Sequence, residues 1–115
     1  MIPEEYKPLI NKLIEATQKG TRNWSVTSDD SKFSMDIGVN GVVIRFFRAW
    51  DPAMDREEYV VRFEIINPVG ISVDGFSEGE SDSDYSEMLC FYETARRSAL
   101  RIDKTISELM HDLDL

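Results

Sequence analysis

Reactive side chains are scarce in this sequence. It has one cysteine, Cys90, and one histidine, His111, among 115 residues. A lone thiol closes no internal disulfide and builds no cysteine-based zinc site, and it suits a reducing compartment. Nucleophilic catalysis needs a thiol or hydroxyl within hydrogen-bond reach of a base. Cys90 and His111 fall far apart on one predicted helix, and no serine stands in a nucleophile-elbow context. Long apolar runs are missing too: nothing approaches the roughly 18 consecutive apolar residues of a membrane helix. The opening Met1-Ile2-Pro3-Glu4-Glu5 is acidic and is not the pattern of a secretory signal. A cytoplasmic location is expected by elimination.

Basic charge is in short supply. Thirteen Lys and Arg face 22 Asp and Glu, a net charge of −9, so the overall field opposes nucleic-acid backbones and anionic membranes and favours a basic partner. Gly75-Phe76-Ser77-Glu78-Gly79 has two glycines but no following lysine, so it is no phosphate loop. The remaining composition, 42% hydrophobic and 30% charged, is that of a globular chain rather than a disordered one. Its length fits one domain with a core of its own.

The apolar pattern predicts α+β. Tyr6, Leu9, Ile10, Leu13 and Ile14 make a helical stripe over residues 4–19 that stops at Gly20. Pro8 requires that helix to begin nearby or to kink. Period-two runs follow at 24–27, 33–37, 42–48, 58–66 and 71–74, the last ending at Gly75. Asn40-Gly41 is expected to turn the second run into the third, and Asp51 to Glu57 to form a charged loop. A helix of about residues 84–113 carries a sustained stripe from Tyr85 to Leu113, with Asp84 and Glu87 spaced as a capping box. A helix that long either overhangs a five-stranded sheet or breaks.

The expected fold is a five-stranded antiparallel meander with the N-terminal helix and the long C-terminal helix on one face. Its inner face is predicted to hold Trp24, Val26, Phe33, Met35, Ile37, Val42, Ile44, Phe46, Tyr59, Val61, Phe63, Ile65, Ile71 and Val73.

Few residues suggest chemistry. Asp36 and Glu64 fall on outward strand positions, where a raised carboxyl pKa is not expected. Glu78, Glu80, Asp82 and Asp84 alternate in the manner of calcium's oxygen ligands, but the EF-hand glycine is replaced by Glu87. No catalytic, cofactor or metal site is assigned. What stands out is the outer sheet face, where Val43, Phe47, Val60 and Ile66 join Arg45 and Arg62. An open sheet face is ordinarily polar, and an apolar patch there marks an interaction surface. These six residues are the candidate protein-interaction site, for another protein or for a second copy in a homodimer.

The run Leu89-Cys90-Phe91-Tyr92-Glu93-Thr94-Ala95-Arg96-Arg97-Ser98-Ala99-Leu100-Arg101-Ile102-Asp103, with Leu13 to Trp24, resembles small uncharacterised bacterial α+β proteins. The layout is also similar to type III secretion effector chaperones, which carry a helix between their third and fourth strands. Here Asp51 to Glu57 is too short for one. The expected function is therefore a non-enzymatic protein-interaction module. The alternatives are an acidic inhibitor, immunity-type or nucleic-acid-mimic protein, marked by a row of carboxylates from Glu78 to Glu87 with Asp29 and Asp30, and a secretion-chaperone-like protein.

Overall fold

Pro8 decides where the first helix begins. In the computed structural model, which describes residues 1–115, Glu4–Tyr6 form a 3₁₀ turn and helix α1 runs Lys7–Gln18. Pro8 thus sits in the first turn, where its missing N–H has no intrahelical acceptor to lose. The strands are β1 (Ser25–Val26), β2 (Lys32–Ile37), β3 (Asn40–Asp51), β4 (Arg56–Ile66) and β5 (Ser72–Gly79). They pair antiparallel in chain order, as the meander requires.

The β2–β3 turn lies two residues earlier than expected. Ile37 pairs with Asn40, so Gly38-Val39 forms the loop and Asn40-Gly41 joins the strand. Gly38 supplies the positive φ (62°) that such a tight loop needs at its first position. The expected charged loop between β3 and β4 shrinks to Pro52–Asp55, because Asp51 already pairs with Arg56. No helix separates these strands.

The C-terminal helix breaks. Helix α2 runs Tyr85–Ala99 and α3 runs Ile102–Asp114, with Arg101 left-handed (φ 52°) between them. Fifteen residues at about 1.5 Å each give α2 roughly 22 Å. Five strands at about 4.8 Å span a similar width. Accordingly α2 touches every strand of the sheet, whereas α3 touches only α2.

One aromatic centre joins the layers. Phe63 on β4 meets Tyr6, Phe76 on β5 and Phe91 on α2, with ring centroids 5.8, 6.0 and 5.9 Å away. Tyr6 and α2 therefore cover the same sheet face. Burying a side chain of this size contributes on the order of 1.5–3 kcal/mol. Trp24 ties the helices to β1: its indole N–H donates to Thr17 Oγ1 (3.0 Å) and its backbone N–H to Ser98 Oγ (3.0 Å).

Four expected core residues are exposed. Val26 and Tyr59 share the inner face by register with Phe33 and Arg48 but lie at its rim. Ile71 lies just before β5, and Val73 is displaced by an irregularity opposite Ile65/Ile66. That irregularity shifts the alternation of β5 by one, so Asp74, Phe76 and Glu78 pair with the inward residues Ile65, Phe63 and Val61. A one-residue shift exchanges the two faces of a strand. The strand also runs on to Gly79, which brings Phe76 into the core.

Two inward acids need partners, and the N-terminal segment supplies them. The Tyr6 hydroxyl donates to Asp74. Glu78 is fully buried, and the Met1 amine stands 2.6 Å from its Oε1; neither oxygen has another hydrogen-bond partner. The Ile2 N–H donates to Asp84 Oδ2 (2.6 Å), so Asp84 binds the N-terminal segment rather than making the predicted capping box.

Burial pushes the Glu78 carboxyl above its usual value, against the pull of the Met1 amine. Hydrogen bonding to Glu78 raises the Met1 amine above its usual 8.0. A raised amine stabilises the fold fully below its unfolded value and loses that contribution as pH rises through its folded value. A raised carboxyl, by contrast, costs stability once it ionises, so the neutral isostere Glu78→Gln should hold or raise stability at pH 7. The variant's advantage over wild type in thermal melts should grow from pH 7 to pH 10, as the amine loses its proton and leaves the buried carboxylate unpaired; a constant difference would exclude the amine as the partner that matters.

Candidate functional site

The outer sheet face is built by strand register. Val43 pairs with Glu64, Arg45 with Arg62, Phe47 with Val60 and Gly41 with Ile66. All six candidate residues, Val43, Arg45, Phe47, Val60, Arg62 and Ile66, therefore share that face. They do not form the open apolar patch the alternation suggested. Val43 and Val60 are only 7% exposed, and Phe47 and Ile66 are half-buried.

The reason is the reach of the arginines. Arg45 and Arg62 stand directly opposite each other, a repulsive pairing unless a counter-charge intervenes. Glu64 provides it: its Oε1 lies 3.4 Å from Arg45 Nε and 3.3 Å from Arg62 Nε. Arg45 also lies over the Phe47 ring, 5.1 Å from its centroid. Arg62 reaches across β5 to donate to Ser77 Oγ (3.1 Å). Glycine at position 75 makes that reach feasible. A Cβ there would stand 2.5 Å from the Phe63 carbonyl oxygen and 3.0 Å from the Arg62 guanidinium. The long arginine stems thus lie flat across the face, apolar along their length and charged at the tip.

The acidic segment is tied to the rest of the fold through four of its carboxylates. Glu78 holds the Met1 amine, Glu80 Oε1 accepts from the Tyr59 N–H (2.7 Å), Asp82 Oδ2 from the Gly79 N–H (2.7 Å), and Asp84 from Ile2. No group of three or more His, Cys, Asp or Glu stands close enough to hold a metal ion. Glu80, Asp82 and Glu87 remain exposed, as do Asp29 and Asp30. Cys90 is exposed on α2 and His111 is exposed on α3.

The uncovered apolar surface is on α3. Ile102, Ile106, Leu109, Met110 and Leu113 fall within one sector of about 100° on the helix. No residue of α3 is buried, and Ile106, Leu109, Met110 and Leu113 are 47%, 57%, 62% and 84% exposed. Asp103 and Asp114 flank the stripe on one side, Glu108 and Asp112 on the other; Lys104 and His111 point away from it. The C-terminal stripe was legible as a core-facing pattern, but only the break at Arg101 shows that this half has no core to face.

The fold and surfaces define a small α+β meander protein with a projecting amphipathic helix. Comparison with protein-family models, with curated proteins and with solved structures returns no match. No helix is long and apolar enough to cross a membrane.

Burial alone would raise the Glu64 carboxyl, but the Ser72 hydroxyl and the charges of Arg45 and Arg62 outweigh it and hold the group below its usual range. Such a carboxylate stabilises the fold above its unfolded value, and the contribution is lost as pH falls through its folded value. Glu64→Gln should cost roughly 1–2 kcal/mol at pH 7, since it leaves two facing guanidinium groups uncompensated. Urea unfolding at pH 7 and pH 3 should show that cost disappearing in acid; an equal cost at both would mean the ion pairs contribute nothing.

Proposed function

We propose that this protein is a non-enzymatic interaction module that docks through α3 onto another protein. The observation that carries the reading is the apolar stripe of α3, exposed while every other apolar stripe of the chain is packed. Isolated helices of about 13 residues are marginal in water, so α3 gains most of its order from whatever covers it.

The chemistry of the flanks selects the partner. Glu108, Asp112 and Asp114 beside the stripe would face their own counterparts in a second copy, which is repulsive. They suit an apolar groove rimmed by Lys and Arg, the mode in which an amphipathic helix is read through its i, i+4 and i+7 anchors. The charge of −9 would speed encounter with such a surface. This keeps protein binding as the function and moves the contact from the sheet face to the helix.

The test compares wild type with the double variant Ile106→Ser/Leu113→Ser. Neither residue is in the core, so the melting temperature should stay within about 3 °C of wild type. Amides of α3 should exchange without protection in the free protein, while those of β3, β4 and α2 are protected. Cross-linking in cells should join wild type, but not the variant, to an identified protein with a cationic rim around an apolar groove, and the purified complex should weaken with salt. Equal capture by the variant would overturn the proposal. A sedimentation dimer lost on substitution would assign the stripe to a second copy instead.

A further inference from the structure

A cleft opens at the base of α3, beside the docking stripe. It is enclosed by the end of α1, strand β1 and the elbow between α2 and α3, with a volume of about 730 Å³. That volume suits a small organic ligand. Trp24 is the only hydrophobic residue among the twelve that line it. A cleft this polar is shaped for hydrogen bonds and charge rather than for an apolar guest.

Its charge runs against that of the chain. Arg97, Arg101 and Lys104 line it, with Asp103 as the only acid, in a protein whose net charge is −9. Asp103 binds Arg97 at 2.5 Å and fixes that guanidinium. Lys104 reaches only Glu108, at 3.9 Å. Arg101 makes no ion pair at all, although acids outnumber bases across the surface.

The backbone at Arg101 adds a second argument. A helix ending in a left-handed residue usually carries glycine there, because any Cβ is strained in that conformation. Here the position is an arginine at φ 52°. If the elbow needed only its bend, glycine would make it at lower cost. Strained non-glycine residues gather where a side chain is wanted at a fixed place. The side chain held here is a free guanidinium, the group best matched to the planar and bidentate geometry of an oxyanion.

We propose that this cleft binds a small phosphorylated molecule, with Arg101 and Lys104 contacting the phosphate and the amide and hydroxyl of Asn23 and Ser25 available to the rest of the ligand. The elbow carries the helix proposed above for docking, yet the proposal does not depend on that docking.

Binding is read by Trp24 fluorescence in a Trp50→Phe background, which removes the exposed second tryptophan. The probes are inorganic phosphate, adenosine monophosphate, glucose 6-phosphate and, as the uncharged control, adenosine. At least one phosphorylated probe should bind saturably below about 1 mM, and adenosine should bind at least tenfold more weakly. Arg101→Gly is the decisive variant. It keeps the left-handed backbone, so its melting temperature should hold or rise, while affinity for the phosphorylated probe falls at least tenfold. Lys104→Ala should also weaken binding. No saturation by any phosphorylated probe, or equal affinity in Arg101→Gly, would overturn the proposal.

Discussion

The dry face of the sheet is only as wide as five strands, and that width governs the rest of the molecule. Helix α2 fits across it, touching every strand, and Tyr6 and α1 fill what remains. Amphipathic helix beyond this width has nothing to pack on. The chain responds by turning at Leu100-Arg101 and sending α3 away from the body, and the whole molecule measures 55 Å by 35 and 26 Å. The exposed stripe follows directly: the same apolar spacing that buries α2 leaves α3 uncovered because its sheet has run out.

The second constraint is the parity of β5. Phe76 belongs in the core, and it carries Asp74 and Glu78 inward with it. A buried carboxylate without a partner is costly, so the fold draws its first residues across that edge: the Met1 amine serves the buried Glu78, Ile2 becomes core, and Tyr6 donates to Asp74 at the rim. A segment read as a solvated acidic loop is thus the attachment point of the chain's beginning.

Electrostatics act differently on the three surfaces. On the outer sheet face, Glu64 joins two arginines into a charged cluster among the buried Val43 and Val60, so that face presents no open apolar patch. On α3, acids border an apolar stripe that nothing covers. At the elbow, positive charge accumulates around a cleft in an otherwise acidic chain. The last two adjoin at Asp103, while Lys104 points away from the stripe and lines the cleft.

Local pattern alone fixed the α+β class, the antiparallel meander and most of the core: the alternation through Phe33, Met35, Val42, Ile44, Val61 and Phe63 and the helical stripe through Met88, Tyr92 and Ala95 all face inward as periodicity dictates. It also placed Val43, Arg45, Phe47, Val60, Arg62 and Ile66 on one face, since register follows from the period of two. Periodicity carries no information about what lies above a side chain. Whether Val43 is bare or buried depends on how neighbouring strands and their side chains assemble around it, as does whether Leu113 meets a sheet or water. The shift in β5, the partner of Glu78 and the cleft behind Arg101 likewise arise from contacts between segments tens of residues apart, so only the tertiary structure decided them.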